Sequence, residues 1–205
     1  MVDEKVRVLY IEDDEKYVER VAKRIKADGR LEYLGHALGK ASGTTMAREL
    51  QPDVVLMDLS LTNSDFYGDE GIAAARIIRL ATDAKIVFLT AHESPDIMKR
   101  ACKAAFASGY IFKSQHKTYA EEIYNAATAE TTPQKEFIKQ LVLNDLSPAE
   151  QAVLDGLVTG RIQGNTDTSS CKGASVKTIA NQKTKILKKL ELRNERELLH
   201  VFWNW

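Results

Sequence analysis

The first 128 residues alternate short apolar runs with stretches in which apolar positions recur every three or four residues. The runs are typical of buried strands, and the stretches are typical of amphipathic helices. The predicted strands cover residues 6–11, 31–38, 53–58, 85–90 and 109–113. The predicted helices cover residues 15–27, 40–50, 70–81, 95–105 and 118–129. Alternation at this spacing indicates β-α-β units, and hence a doubly wound α/β domain with five parallel strands.

Strand-like runs stop near residue 130, and only helical patterns follow. We interpret residues 129–145 as a linker that is largely helical. The segment Ser147–Glu150 then gives a strong helix start, because its serine can cap the helix, its proline fits the first turn and its glutamate completes a capping box. Two further helices are predicted, over residues 175–190 and near the C-terminus. Residues 146–205 are therefore expected to form a separate all-α domain.

Overall composition and net charge are ordinary, and only one segment of the chain has an unusual charge. The 205 residues are 44% hydrophobic and 28% charged, as in an ordinary globular protein, and the net charge is zero. Residues 168–190, however, carry six lysines and no acidic residue, which suits either a solvated helix face or contact with a phosphate backbone. The two cysteines are too few for a disulfide framework, and no Cys/His group has zinc-like spacing. We see neither a membrane-spanning run nor a signal peptide, so we expect a cytoplasmic protein without a membrane partner.

Polar side chains follow four of the predicted strands. Glu12 and Asp13 follow the first strand, Asp58 ends the third, Thr90 ends the fourth and Lys113 ends the fifth. The carboxyl ends of parallel strands share one edge of the sheet, so these side chains are expected to lie together. Converging carboxylates repel one another and suit Mg²⁺, which prefers oxygen ligands. Asp58, at the centre of the sheet, is the predicted nucleophile, with Lys113 placed to pair with a phosphoryl group and Thr90 placed to donate a hydrogen bond to it.

Each of these residues also has an ordinary structural interpretation. An aspartate after a strand is usually a turn or cap residue, and the acidic run Glu12–Asp14 could cap the first helix. Thr90 alone would be a strand residue, and Lys113 alone would be a surface charge. The functional interpretation depends on all four strand ends agreeing.

Four segments resemble the receiver domain of two-component response regulators, which accept a phosphoryl group from a sensor histidine kinase. These segments are Val8–Glu15, Leu56–Leu61, Leu89–His92 and Ser108–Ser114. The resemblance covers residues 1–128 and implies a flavodoxin-like fold with Asp58 as the phospho-acceptor. The Mg²⁺ ligands that it implies are Glu12 (through water), Asp13, Asp58 and the backbone carbonyl of Ser60. It also implies that Thr90 and Tyr110 form a switch pair that responds to phosphorylation.

Two features depart from the receiver pattern. Thr62 stands where the family usually has proline, and the loop that follows is longer and contains the acidic residues Asp65, Asp69 and Glu70. This loop could alter kinase docking or slow dephosphorylation, or it could be a tolerated surface insertion. Phe106 stands where the family often has glycine. Because the acidic residues, the threonine and the lysine are all present, we still expect phosphorylation.

Residues 146–205 resemble the LuxR-type (NarL/FixJ-like) helix-turn-helix domain. The matching segments are Leu146–Glu150, Gly173–Ile179 and Ile186–Leu190. The resemblance implies that residues 175–190 form the helix that enters the major groove of double-stranded DNA. The residues expected to contact DNA are Lys177, Thr178, Asn181, Lys183, Thr184, Lys185 and Lys188. Lysines would contact phosphates, and Asn181 could bind adenine.

The segment that should brace this helix matches poorly. Residues 161–172 are rich in Gly, Asn, Thr and Ser, which disfavour helix interiors, and the most we expect there is a short helix over residues 167–172. Poor bracing would make dimerisation more important for DNA recognition. The apolar C-terminal helix offers either a homodimer face or a surface that packs against residues 147–159.

The predicted function is that of a DNA-binding response regulator that controls transcription. One alternative is a signalling adaptor whose degenerate helix-turn-helix domain acts through protein contacts. A second alternative is a phosphatase that forms an aspartyl phosphate, but such enzymes usually carry a second aspartate two residues after the nucleophile, where this chain has Ser60. We therefore expect a phospho-acceptor with at most self-dephosphorylation, and not a metabolic enzyme.

Overall fold

The structure, a computed structural model, describes residues 4–62, 68–91, 94–115, 117–162 and 175–205. Within these ranges five strands form one sheet, and every pairing is parallel. The strands are β1 (Val6–Ile11), β2 (Leu31–Ala37), β3 (Val54–Met57), β4 (Lys85–Thr90) and β5 (Gly109–Phe112). Their order across the sheet is β2-β1-β3-β4-β5. The predicted five-stranded parallel α/β fold is confirmed, and each predicted strand agrees with the structure to within one residue at either end.

Helices cover both faces of this sheet. They are α1 (Glu15–Ala27), α2 (Lys40–Leu50), α3 (Asp69–Ala81), α4 (Pro95–Ala105) and α5 (Tyr119–Thr128). Helix α1 packs beside α5, whereas α2, α3 and α4 contact one another in a row. Because both faces are covered, the central strands are largely buried on both sides and consist mostly of apolar residues.

The register of the sheet brings the ends of the strands level with one another. Ile11 pairs with Met57, and Met57 pairs with Phe88. The pairing continues one residue further, since the Asp58 N–H donates to the Ile11 carbonyl at 2.9 Å. These backbone bonds fix the positions from which the polar residues after each strand project.

Two helix ends differ from the sequence-based expectation. Ser94 occupies the predicted N-cap position of α4, but its side chain makes no capping hydrogen bond there. At the other end of α4, Phe106 adopts a left-handed conformation with φ of +50°. That conformation suits glycine, the residue that the receiver pattern often has at this place.

The chain divides into two compact units, residues 1–139 and 140–205. The division falls within α6 (Pro133–Leu143), inside the segment that the sequence analysis assigns to a linker. The bounds predicted for the two domains, 1–128 and 146–205, stay predictions. No helix of the described residues is long and apolar enough to cross a membrane.

The second unit contains three further described helices, α7 (Pro148–Val158), α8 (Val176–Lys189) and α9 (Glu195–Trp203). The capping box predicted for Ser147 and Glu150 at the start of α7 is confirmed. Glu150 also accepts a hydrogen bond from Lys189 at 2.6 Å, which ties α7 to α8. The predicted short helix over residues 167–172 lies outside the described residues.

Most apolar residues of α9 and of the two residues after it are buried within this unit. Leu198 and Val201 are fully buried, and Phe202 and Trp205 are nearly so. Leu199 is half-buried, and Trp203 is 62% exposed while its indole N–H donates to the Val158 carbonyl of α7. The packing interpretation therefore accounts for most of the helix, and it leaves a much smaller apolar surface for a dimer.

Candidate functional site

Three carboxylates converge at the carboxyl edge of the sheet. Glu12 and Asp13 follow β1, and Asp58 follows β3. One carboxylate oxygen from each residue lies within 4.8 Å of the other two. Glu12 and Asp58 are buried, whereas Asp13 is half-buried. The structure thus brings together the acidic residues that the sequence analysis selected.

Lys113 lies in the middle of this group. Its Nζ is 2.7 Å from Glu12 Oε2 and 3.0 Å from Asp58 Oδ2, and its side chain is only 9% exposed. The backbone N–H of Lys113 donates to the Thr90 carbonyl at 2.8 Å, which anchors the residue beside the end of β4. One largely buried ammonium group is therefore shared between two buried carboxylates.

The electrostatics of the site follow from burial and from the excess of negative charge. Burial raises the pKa of Asp58, the Glu12 carboxylate raises it further, and Lys113 lowers it only in part. Burial and Glu12 also raise the pKa of Asp13. Burial alone would lower the pKa of Lys113, but the two carboxylates raise it overall. The site therefore carries more negative charge than its lysine neutralises, which favours an added cation.

These residues fit a hard divalent cation. The donor set consists of carboxylate oxygens, and the half-buried Asp13 leaves one side of the group accessible to water. Carboxylate oxygens together with retained water are what Mg²⁺ prefers. The structure thus supports an acidic metal-binding pocket at the edge of the sheet.

The other predicted site residues lie at this edge or on the strands that lead to it. Thr90 is fully buried at the end of β4, and Ser60 is half-buried two residues after Asp58. Tyr110 is half-buried on β5, and its ring packs edge-on against Phe112 with the centroids 5.7 Å apart. Thr90 and Tyr110 thus lie on neighbouring strands, as a switch pair requires.

Three tyrosines that the sequence analysis did not select contact the site. The hydroxyl of Tyr10 donates to Glu12 Oε2 at 2.5 Å. The ammonium of Lys113 lies 4.3 Å from the centre of the Tyr17 ring, within the range of a cation–π contact. The hydroxyl of Tyr119 donates to the Lys113 carbonyl at 2.7 Å. Tyr10 could have been found from the sequence, because residues two apart on a strand share a face.

Two further residues were also missed. A Cβ on Gly71 would lie 2.3 Å from the backbone oxygens of Asp58 and Leu59, so only glycine allows α3 to approach the site so closely. The side chain of Gln134, on α6, accepts a hydrogen bond from the Tyr110 N–H at 2.9 Å. This contact satisfies a backbone donor on the free edge of β5, and only the fold reveals it.

The residues predicted to contact DNA lie on α8. All but one of the seven are exposed, while Ile179 and Ile186 on the opposite side of the helix are fully buried. Lys183 is the exception, because it is mostly buried and forms an ion pair with Glu195 of α9. Lys189 is exposed, but its ammonium donates a hydrogen bond to Glu150 of α7.

Comparison with known proteins places this arrangement in a family. The model of the response regulator receiver domain matches residues 8–125. The transcriptional regulatory protein LiaR of Bacillus subtilis is 27% identical over 94% of this chain and 94% of its own length. The oxygen regulatory protein NreC of Staphylococcus epidermidis is 29% identical over 74% of this chain and 75% of its own.

Solved structures agree with this assignment at the level of the fold. A complex of the two-component response regulator RcsB with DNA aligns over 98% of this chain and 99% of RcsB, with a TM-score of 0.56 and 21% identity. The alignment includes the C-terminal helices as well as the sheet. The chain therefore belongs to the response regulator receiver family, and the prediction of a receiver domain followed by a LuxR-type helix-turn-helix domain is confirmed.

Proposed function

We propose that this chain is a response regulator that accepts a phosphoryl group on Asp58 from a sensor histidine kinase and controls transcription by binding double-stranded DNA. The observation that carries the first half is the convergence of Glu12, Asp13 and Asp58 around Lys113. The second half is supported by the exposed lysines of α8 and by the relatives, which include a transcriptional regulator and a regulator bound to DNA.

Phosphoryl transfer to Asp58 is a nucleophilic displacement at phosphorus. An oxygen of the Asp58 carboxylate forms a bond to the phosphorus, the phosphorus–nitrogen bond of the kinase phosphohistidine breaks, and the imidazole leaves with the electron pair and takes up a proton. The product is an acyl phosphate. Hydrolysis by water returns the carboxylate and releases inorganic phosphate, which is the self-dephosphorylation expected of such a bond.

We assign the metal site to Glu12, Asp13, Asp58 and the Ser60 carbonyl, with Mg²⁺ as the ion. Bound there, Mg²⁺ would offset the negative charge of the carboxylates and of the incoming phosphoryl oxygens. Lys113, which is already 3.0 Å from Asp58, is positioned to pair with the phosphoryl group once it is attached. The Thr90 hydroxyl would donate to the same group, and Tyr110 would adjust to the movement of Thr90.

The DNA-binding role rests on the amphipathic character of α8. Ser175 caps the helix, Ile179 and Ile186 hold it to the unit, and the exposed face presents Lys177, Lys185 and Lys188 to solvent. A helix held in this way can enter the major groove while its lysines contact phosphates. We further propose that the chain acts as a homodimer, since two copies would recognise paired half-sites.

Chemical trapping of the acyl phosphate tests the phospho-acceptor assignment. The chain is incubated with acetyl phosphate and Mg²⁺, treated with borohydride, which reduces an acyl phosphate to an alcohol, and digested for mass spectrometry. We expect homoserine at position 58 and nowhere else. Homoserine at another aspartate, or at none, would contradict the assignment of Asp58.

The same site predicts how stability depends on pH and on Mg²⁺. Burial and Glu12 raise the pKa of Asp58, so the folded protein keeps the Asp58 carboxyl group protonated to a higher pH than the unfolded chain does. In the unfolded chain, aspartate has a pKa of about 4. Without Mg²⁺, protonated Asp58 contributes its full stabilisation of the folded state below the unfolded pKa. This contribution is lost as the pH rises through the raised pKa of the folded state. Adding Mg²⁺ at mildly alkaline pH is expected to increase the free energy of unfolding by about 2.7 kcal/mol at a hundredfold excess over Kd.

Thermal and urea unfolding of the wild type and of Asp58→Asn, with Mg²⁺ or with EDTA, measure these effects. The variant should be more stable than the wild type in EDTA at mildly alkaline pH and should gain little from Mg²⁺. Identical pH profiles for the two proteins in EDTA would contradict the electrostatic account of the site.

A signalling adaptor is the second candidate function. It is favoured by the sequence of residues 161–172, which suits turns better than a bracing helix, and by the pairing of Lys183 with Glu195, which removes one expected DNA contact. An adaptor would bind a partner protein and would select no DNA sequence.

A further inference from the structure

Tyr10 is a buried tyrosine whose hydroxyl reaches the phospho-acceptor site from inside the protein. The residue lies on β1 two positions before Glu12 and is fully buried. Its ring belongs to the apolar cluster between the sheet, α1 and α5, which includes Val18, Val21 and Ile123. The surrounding core therefore fixes the ring, and the hydroxyl position follows from it.

The Tyr10 hydroxyl and Lys113 bind the same oxygen. Glu12 Oε2 accepts from the Tyr10 hydroxyl at 2.5 Å and lies 2.7 Å from the Lys113 ammonium. The other oxygen, Oε1, has a longer contact of 3.4 Å with the backbone N–H of Asp14. Glu12 is 1% exposed, so solvent cannot replace a partner that its inner oxygen loses.

Phosphorylation would change the demands on Lys113. Its ammonium now serves Glu12 and Asp58 together, but a phosphoryl group on Asp58 would bring oxygens that compete for it. Movement of Lys113 toward the phosphoryl group takes charge neutralisation away from Glu12. For a buried carboxylate, losing one of its donors is costly, because that part of its desolvation is no longer compensated.

We propose that Tyr10 is a positioning residue for phosphoryl transfer: its hydroxyl holds Glu12 Oε2 while Lys113 turns from Glu12 to the phosphoryl group. This inference rests on the proposed function of Asp58 as the phospho-acceptor. Tyr10 itself touches neither the phosphoryl group nor the attacking oxygen, and it acts through Glu12. A purely structural tyrosine would instead fill space in the core and need its hydroxyl only for its own hydrogen bond.

The test compares Tyr10→Phe with wild type in the full chain. The variant keeps the ring and removes only the hydroxyl, and Tyr33→Phe is the matched control, since the Tyr33 hydroxyl bonds His36 at 3.2 Å at the edge of the same core. The initial rate of phosphoryl incorporation from acetyl phosphate is measured as a function of Mg²⁺ concentration. Glu12→Ala and the double variant Tyr10→Phe/Glu12→Ala complete a double-mutant cycle.

We expect Tyr10→Phe to lower the rate at saturating Mg²⁺ about tenfold, as the loss of a hydrogen bond to a charged group implies. The Mg²⁺ concentration that gives half the maximal rate should change less than about twofold, and Tyr33→Phe should behave as wild type. In the Glu12→Ala background the loss of the Tyr10 hydroxyl should have no further effect. A general loss of structure would instead change the rate and the Mg²⁺ dependence together, in both backgrounds.

A measurement on the wild type keeps the test valid if the variant does not fold. A hydroxyl proton in so short a buried hydrogen bond should give a downfield, slowly exchanging proton resonance. We expect that resonance to persist when beryllofluoride and Mg²⁺ are added, since the proposal requires the bond in both states.

Three results would overturn the inference. They are an unchanged rate for Tyr10→Phe, an equal loss of rate with and without Glu12, and disappearance of the hydroxyl resonance in the beryllofluoride state. Failure of the wild type to incorporate any phosphoryl group is a different outcome, because it contradicts the proposed function itself and removes the basis of the inference with it.

Discussion

Replacing Asp58 with asparagine is expected to abolish phosphoryl incorporation while leaving the fold intact. The amide has nearly the shape of the carboxylate but cannot form the acyl phosphate, so we expect the rate of incorporation to fall more than about a thousandfold. Asp58→Asn also removes one of the charges that crowd the edge of the sheet, so the variant should not lose stability. Incorporation from acetyl phosphate is read on a phosphate-affinity gel.

Asp53→Asn provides a matched control from the other end of the same strand. Asp53 precedes β3 and its carboxylate accepts a hydrogen bond from the Arg7 N–H at 2.7 Å, far along the strand from the acidic group. This variant is expected to incorporate phosphoryl within about twofold of wild type, because it leaves the attacking carboxylate untouched. Comparable incorporation in wild type and Asp58→Asn would contradict the account of the site.

Replacing Lys177, Lys185 and Lys188 together with alanine is expected to reduce DNA affinity strongly and to weaken its dependence on salt. All three are exposed on α8, and none has a role in holding the unit together among the contacts described. If each lysine contacts one phosphate, the slope of log K against log salt should become shallower by about 2 to 3. Fluorescence anisotropy with duplex DNA at several salt concentrations measures both quantities.

Arg196→Ala is the control for this experiment, since it removes an exposed cation from α9 in the same unit. It should leave the salt dependence within about half a unit of slope. Lys183 is left out of the triple variant because its ion pair with Glu195 stabilises the packing of α8 against α9. An unchanged slope in the triple variant would show that α8 does not contact the phosphate backbone.

The fold was accessible from the sequence because each of its elements has a strong local signal. Buried strands such as Val54–Met57 are continuous apolar runs. The capping box of the helix that begins at Pro148 lies within four consecutive residues, 147–150. The acidic site was accessible for a related reason. Once the strands are parallel, the residues that follow them must lie at one edge.

The details that escaped prediction depend on three-dimensional packing. The acidic run Glu12–Asp14 left a functional and a capping interpretation open, and the structure divides them: Asp14 caps α1 while Glu12 and Asp13 enter the site. Gly71 lies close to the Asp58 backbone, and Gln134 accepts a hydrogen bond from the Tyr110 N–H. Neither contact is encoded in a short-range sequence pattern. Lys183 was predicted to contact DNA like other lysines of α8, and only the structure shows that it pairs with Glu195 instead.

The C-terminal helix shows a second limit of sequence patterns. Its apolar residues suited either a dimer face or internal packing, and amphipathicity alone does not distinguish the two. Burial of Leu198, Val201 and Phe202 within the unit resolves this for most of the helix. Trp203 retains a large exposed surface.

Selective retention of genomic DNA fragments tests the central claim most directly. The purified 205-residue chain is incubated with fragmented DNA from its host, with and without beryllofluoride and Mg²⁺. The retained fragments are sequenced for wild type and Asp58→Asn. The account predicts enrichment of a few sites that strengthens with beryllofluoride in the wild type and shows no such increase in Asp58→Asn. The absence of any selective enrichment would contradict it and would direct attention to protein partners instead.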